Sequence, residues 1–225
     1  MDKTRDLART RERILKAAMA EFAAKGLGGA RCADIAGRAG VNKRMLFYCF
    51  GSKENLYREI VRRKFAERAR FLESAPDDLA GAILHWYEAG SSDFDWVRLL
   101  EWEALGTSGN RLAGEQERRD YFSRTLAGLR RAQAGGRLPP DIDLLQLVIS
   151  MVALTVFPLA FPQMTKLASG LAPTDPRFRR KRAKFLHWLG ERLSADPPSA
   201  PPMNNAAAAP RRRASGRKQT AASPG

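Results

Sequence analysis

The sequence predicts an all-α protein in which a small basic head precedes a larger helical body. Three observations predict this fold class. Apolar residues recur three and four positions apart along most of the chain, residues suited to helix caps begin and end these segments, and no convincing run alternates apolar and polar residues. The chain has 225 residues, 44% of them hydrophobic and 28% charged, so it is long enough to bury a large core.

The head is predicted to contain four helices. The first has one apolar face with the spacing of a buried helix, formed by Ile14, Ala17, Ala18 and Phe22. Gly26 is expected to stop this helix, and short helices are expected near residues 33–39 and 43–50. Ser52 is a suitable N-cap for a longer helix that runs to about Ser74.

The body is predicted to contain five more helices. Their expected ranges are a segment capped by Asp77 or Asp78 that ends near Ala89, then about 93–105, 111–134, 142–157 with Asp141 as its cap, and about 175–194. Residues 144–161 carry no charge and reach the length at which a membrane span becomes possible. Because Pro158 and Pro162 end the helical part early, we expect a buried helix of a soluble core and no membrane contact.

The positive charge of the chain is concentrated at its two ends. Lys and Arg number 39 against 24 Asp and Glu, which gives a formal net charge of +15 and a pI near 10.6. Residues 1–70 carry a net charge of +10, residues 71–194 carry +1 and residues 195–225 carry +4. This distribution points to an anionic partner of the head, either nucleic acid or an acidic membrane face. Residues 195–225, rich in Pro, Ala and Ser, are predicted to be a disordered basic tail that is solvated or contacts DNA phosphates nonspecifically.

The cysteine and histidine content limits the chemistry of the chain. Cys32 and Cys49 are too few for a disulfide framework and fit a reducing, cytoplasmic compartment. His85 and His187 lie far apart in the sequence, so we expect neither a metal nor a cofactor. Residues 1–15 are charged throughout, unlike a signal peptide. Motifs of serine hydrolases, phosphate-binding loops and zinc proteases are all missing, which argues against an enzyme.

Residues 31–53 contain the pattern that carries the predicted function. The apolar positions have the spacing that packs two short helices together: Ile35, Val41 and Leu46. Gly40 falls at the turn, where a positive φ favours glycine, and Asn42 is a suitable cap for the second helix. The start of that helix is basic, with Lys43 and Arg44 followed by aromatic residues. These features predict a helix-turn-helix whose second helix enters the DNA major groove.

The same stretch resembles the N-terminal domain of the TetR family of transcriptional regulators. The resemblance rests on three linked blocks, ILKAAMAEFAAKGL, DIAGRAGV and LFYCFGSKENLY. It implies a three-helix DNA-binding head and a helical body that binds a ligand and dimerises. It also implies base contacts from the second helix of the motif and the start of the first, here Cys32, Ala33, Lys43, Arg44, Met45, Phe47 and Tyr48. A phosphate contact is implied for Lys53.

The motif departs from the family pattern at four positions. Arg31 stands where Ser or Thr often caps the first helix, and Phe47 replaces a tyrosine whose hydroxyl could reach a phosphate. Met45 replaces a small residue, and Cys49 replaces a common histidine. These changes leave the fold prediction intact, but the operator sequence cannot be carried over from relatives. Cys49 is expected to be a thiol without function, with a redox sensor near DNA as the alternative.

Together these patterns predict a homodimeric repressor that a small-molecule effector releases from its operator DNA. The DNA-binding domain is predicted at residues 8–68, with its motif at 31–50, and the effector-binding and dimerisation domain at 69–194. The dimer would form through helices near 142–157 and 175–194.

The aromatic residues of the body have two interpretations. They either line an effector pocket or belong to the ordinary core: Trp86, Trp96, Trp102, Tyr121 and Phe122. The alternative function is a constitutive or architectural DNA-binding protein without an effector. A protein that packs DNA would spread its positive charge over the surface, whereas the body of this chain is nearly neutral.

Overall fold

The computed structural model describes residues 3–76, 78–91, 93–106 and 112–194. In these ranges the chain forms ten helices and no strand, which confirms the all-α fold class. In chain order the helices are α1 (Lys3–Gly29), α2 (Cys32–Ala39), α3 (Lys43–Phe50), α4 (Lys53–Glu73), α5 (Leu79–Ser91), α6 (Phe94–Gly106), α7 (Glu115–Ala134), α8 (Leu144–Ala160), α9 (Pro162–Ser169) and α10 (Pro176–Leu193).

Helices α1 to α4 form the head around one apolar cluster. The face that the helical spacing predicted on α1 is confirmed as buried: Ile14, Ala17, Ala18 and Phe22. The Phe22 ring meets the Tyr57 ring of α4 edge-on, with centroids 5.3 Å apart. Burial raises the pKa of the Tyr57 hydroxyl well above its usual range, so this tyrosine is neutral at physiological pH.

The prediction that Gly26 stops the first helix is only partly correct. Gly26 takes a left-handed φ of 68°, which interrupts the helical geometry. One further turn nevertheless follows to Gly29, and the Ala30 N–H donates to the Gly26 carbonyl at 3.1 Å. The glycine therefore produces a kink. Trp102 of α6 packs against this kink, and a Cβ at Gly26 would lie 3.1 Å from its indole ring.

Several predictions fall on residues outside the described ranges. These are the basic tail at 195–225, Asp77 as one of two caps for α5, and Arg111 as the start of α7. The other predicted cap, Asp78, accepts a hydrogen bond at 2.7 Å from the N–H of the third residue of α5. The described part of α7 begins at Glu115.

Helix α8 differs from its prediction at both ends. Its N-cap is Asp143 and not Asp141, because the Asp143 carboxylate accepts from the N–H groups of Leu145 and Gln146 at 2.9 and 3.1 Å. The helix also continues through Pro158 to Ala160, and the sequence did not predict the short α9 that follows.

The structure explains why Pro158 does not end α8. A proline has no N–H, so the carbonyl of Leu154, four residues earlier, lacks its helical donor. The guanidinium of Arg182 on α10 donates to that carbonyl instead. A side chain 28 positions further along the chain thus replaces a local hydrogen bond and ties α10 to α8.

The body encloses a second apolar cluster between α5, α8 and α10, with Ile83 and Leu186 at its centre. Helices α5 and α10 approach closely at Gly190, which faces the backbone of Ala80. Of the described helices, none on its own is long and apolar enough to cross a membrane. Helices α8 and α9 together meet that criterion by length and composition only, and they are bent by 86° where they join.

Candidate nucleic-acid interface

The segment α2–turn–α3 has the geometry of a helix-turn-helix. Gly40 ends α2 with a φ of 64°, as the sequence predicts. Its N–H donates to the Gly37 carbonyl and the Val41 N–H to the Ala36 carbonyl, both at 3.0 Å, which is the hydrogen-bond pair of a Schellman motif. Asn42 caps α3 by accepting from the Met45 N–H at 2.8 Å. Arg31, at the N-cap of α2, makes no side-chain cap, as its departure from Ser or Thr implies.

Helix α3 presents a basic and aromatic face to solvent. Leu46 and Phe50 are buried and hold the helix on the head. Lys43, Arg44, Phe47 and Tyr48 are exposed, and Tyr48 is 73% exposed. The Lys43 ammonium lies 5.7 Å from the centre of the Phe47 ring. Exposed cations beside an exposed tyrosine on a short helix suit contacts to phosphates and base edges.

The remaining sequence-predicted DNA contacts lie around this face. Ala33 is exposed at the start of α2, whereas Cys32 and Met45 are half-buried. Lys53, at the start of α4, donates to the Ala30 carbonyl at 3.1 Å and is half-buried. Cys49 is half-buried, and burial raises the pKa of its thiol, so little reactive thiolate forms at neutral pH.

Two arginines of α1 contribute to the motif and were not predicted. Arg13 donates to the carbonyls of Ala39 and Gly40 at the end of α2. Arg11 donates to the carbonyl of Cys49 near the end of α3, and its guanidinium lies 4.4 Å from the centre of the Phe50 ring. Cations suit helix C-termini, where carbonyls lack donors. In the sequence both residues add only to the positive charge of the head, because their carbonyl partners are 26 or more positions away.

Ion pairs join α1 to α2 beside the motif. Lys25 contacts the buried Glu21 at 2.5 Å and Asp34 of α2 at 3.1 Å. The hydrogen bond from Lys25 lowers the pKa of Asp34, so the pair stays charged at neutral pH. Arg38 of α2 approaches the other oxygen of Glu21 at 3.5 Å. These contacts fix the first helix of the motif against α1.

The body contains a cavity of about 470 Å³ between α4, α5, α7 and α8. This volume falls in the range of small-molecule sites, about 300–1,000 Å³. Of the five aromatic residues considered from the sequence, Trp86 lines this cavity. Trp102 lines a separate cavity between head and body, and its indole N–H donates to the Ala23 carbonyl at 3.1 Å.

The other three aromatic residues lie elsewhere. Trp96 is buried against Phe65 of α4, with ring centroids 5.4 Å apart. Tyr121 also packs edge-on against Phe65, and Phe122 is exposed on α7. None of these three residues belongs to the lining of the first cavity. Trp96 and Tyr121 pack in the core against Phe65, whereas Phe122 does neither.

Helix α4 is common to the head and the cavity. Its first half packs in the head through Leu56 and Ile60. Its second half contributes Ala69 and Leu72 to the cavity lining. A single helix of 21 residues therefore contacts both the DNA-binding motif and the candidate ligand site.

Comparisons with known proteins agree with this architecture. Residues 14–60 match the family described as bacterial regulatory proteins, tetR family, and residues 78–185 match the tetracyclin repressor-like, C-terminal domain. The HTH-type transcriptional repressor SCO4008 of Streptomyces coelicolor is 31% identical over 166 residues, which cover 74% of this chain and 86% of that protein. The repressor NicS of Pseudomonas putida is 32% identical over 136 residues, covering 60% and 62% of the two chains.

A solved structure shares the fold over most of its length. SCO4942 of Streptomyces coelicolor, a proposed transcriptional regulator, superimposes with a TM-score of 0.69 and 25% identity, over 82% of this chain and 98% of that one. The two family matches cover the helix-turn-helix and the helical body, and the match to SCO4008 spans 74% of the chain. This chain belongs to the TetR family of bacterial transcriptional regulators.

Proposed function

We propose that this chain is a homodimeric repressor that leaves its operator DNA when a small-molecule effector binds in the helical body. It would act in the cytoplasm, with residues 8–68 as the DNA-binding domain and 69–194 as the effector and dimerisation domain. The observation that carries the proposal is the continuity of α4 from the motif to the cavity.

The cavity favours this function over a constitutive or architectural DNA-binding protein. A protein that only packs DNA needs no cavity among four helices of a nearly neutral body. Effector binding there would act on α4 directly, since Ala69 and Leu72 belong to the lining. Allosteric control requires a free-energy coupling between two sites, and an element that contacts both sites is a direct way to provide it.

An apolar surface on α8 to α10 supports the homodimer. We call it the α8–α10 surface; its exposed residues are Leu145, Ile149, Val152, Phe157, Phe161, Met164, Phe185 and Trp188. Each of these side chains is between 38% and 54% exposed. Large apolar side chains left exposed on three successive helices are characteristic of a protein interface. Pairing with a second copy would form a four-helix contact from α8 and α10 of each protomer and bury the patch.

Dimerisation would also set the spacing of the two DNA-binding heads. Successive major grooves on one face of DNA lie about 34–36 Å apart, so a two-fold dimer binds only when its recognition helices match that distance. An effector that favours a different position of α4 would change the spacing and lower operator affinity. The proposed base contacts of the operator come mainly from Lys43, Arg44 and Tyr48. Further base contacts are proposed for the neighbouring residues Cys32, Ala33, Met45 and Phe47, and a phosphate contact for Lys53.

A double substitution tests the DNA-binding role of α3. Lys43→Ala combined with Arg44→Ala should weaken binding to an operator selected from random DNA by tenfold or more, because each base contact contributes about 1–3 kcal/mol. The matched control combines Arg98→Ala with Arg130→Ala, two exposed cations of α6 and α7 outside the α8–α10 surface. Gel-shift titration measures the operator affinity, and light scattering measures whether each variant is still a dimer. An operator affinity unchanged by the α3 pair, or lowered equally by the Arg98 and Arg130 pair, would contradict the assignment.

A further inference from the structure

The cavity of the body has an apolar interior. Its buried lining includes Leu79, Leu138 and Met151, and half-buried Leu72 and Trp86 add to it. Surfaces of this kind take up apolar ligand atoms, and the indole of Trp86 offers a flat face to a ring.

The charged residues of the same lining are unequal in sign. Three arginines contribute, Arg124 and Arg131 from α7 and Arg137 from the segment that follows it. One described carboxylate contributes, that of Asp78, and it already accepts a hydrogen bond at 2.7 Å as the N-cap of α5. All three arginines are exposed, so their positive charge lies at the opening of the cavity and not in its interior.

Arg131 is the arginine of the lining to which we assign the ligand. Its guanidinium lies 3.8 Å from the position that a Cβ would occupy on Gly128, another lining residue. Because Gly128 has no side chain, the space next to the Arg131 guanidinium stays open. Arg124 and Arg137 also interact with other groups of the protein and supply charge around the opening.

We infer that the effector is an amphipathic anion: a flat or extended apolar body that fills the interior, with one carboxylate at the opening that Arg131 binds. Guanidinium groups bind carboxylates through two parallel hydrogen bonds, which neither an amide nor an ammonium reproduces. A ligand held in this way joins α7, through its head group, to the α4 residues Ala69 and Leu72, through its body. The inference rests on the proposed function, since it names the class of ligand for the same cavity.

Three probes with the same naphthalene ring and head groups of similar size test the inference on the full-length chain: naphthalene-2-carboxylate, naphthalene-2-carboxamide and 2-naphthylmethylammonium. Affinities are measured by titration calorimetry at one pH and ionic strength. The carboxylate should bind about threefold or more tightly than the carboxamide, because a hydrogen bond to a charged group contributes more than a neutral one, even at an exposed arginine. The ammonium should bind most weakly.

Two variants assign the preference to a residue. Arg131→Gln should remove most of the preference for the carboxylate over the carboxamide. Arg130→Gln, which removes the neighbouring charge outside the lining, should retain it. The inference is overturned if the carboxamide or the ammonium binds as tightly as the carboxylate, if none of the probes binds at millimolar concentration, or if both variants lose the preference equally.

Operator binding in the same samples separates this inference from the proposed function. If the carboxylate binds as expected but leaves operator affinity unchanged, the ligand class stands and the effector-controlled repressor is wrong. If the neutral or cationic probe releases the operator and the carboxylate does not, the repressor function stands and the ligand class is wrong.

Discussion

Replacing Gly190 by alanine tests the packing of α10 on α5. A Cβ at this position would lie 2.5 Å from the Cα of Ala80 and 2.9 Å from its backbone nitrogen. Backbone atoms cannot rotate away, so the helices must separate, and overpacking of this kind costs about 1–3 kcal/mol. Alanine in a helix interior offsets about 1 kcal/mol of that cost relative to glycine. We therefore expect a net loss of up to about 2 kcal/mol in the free energy of unfolding.

Gly90→Ala is the matched control, because this glycine belongs to α5 and a Cβ there would meet nothing within 4 Å. It should be neutral or stabilising by up to about 1 kcal/mol. For a chain of this size 1 kcal/mol corresponds to about 2–4 °C in Tm. Thermal unfolding followed by circular dichroism, at one protein concentration, should place the Tm of Gly190→Ala below that of wild type and Gly90→Ala at or above it. Equal Tm values for the two variants would refute the described approach of α5 and α10.

Three further predictions follow from other parts of the molecule. Ile149→Asp should give monomers by light scattering at low micromolar concentration, because it would bury an unpaired charge in the proposed interface. Leu105→Asp, which places the same charge at an exposed apolar residue outside that interface, should stay dimeric. Arg13→Lys keeps the charge but cannot bind both α2 carbonyls in the same way. The ratio of operator affinity to random-DNA affinity should therefore fall, while the salt dependence of binding stays the same. An equal loss of affinity for operator and random DNA would contradict this positioning role. The hydrogen bond from Arg62 lowers the pKa of Glu59 from 4.5 to about 2, so Glu59 stabilises the fold above pH 4.5 and loses this effect as the pH falls towards 2. The Tm difference between wild type and Glu59→Gln should therefore be present at pH 6 and close near pH 2; a constant difference would show that the ion pair is not its cause.

The sequence predicts those features of the head that depend on neighbours along the chain. The buried face of α1 follows from helical spacing, and it is buried as expected at Ile14 and Phe22. The caps at Asn42 and Ser52 follow from side chains that reach N–H groups three residues later. Such interactions are encoded within a single turn, so a pattern identifies them without knowledge of the fold.

The body shows where local rules fail. Pro158 indicates a helix end, but Arg182 supplies the missing donor from another helix, and α8 continues. The aromatic residues of the body give a second example. Trp86 and Trp96 both lie on apolar helix faces in the sequence, so helical spacing alone does not distinguish them. The packing of α4 and α6 buries Trp96 against Phe65, whereas the arrangement of α5 and α7 leaves Trp86 at a cavity.

The sequence by itself determined the all-α fold class, the helix-turn-helix, the basic charge of the head and the family to which the chain belongs. These properties depend on residue type and spacing, which the chain carries in one dimension. Only the tertiary structure decided which arginines of α1 bind the ends of the motif helices, which aromatic residue lines the cavity and which α8 residues stay exposed. Each of these depends on the distance between helices that are far apart in sequence. That distance is set by the packing of whole faces, so no local pattern contains it.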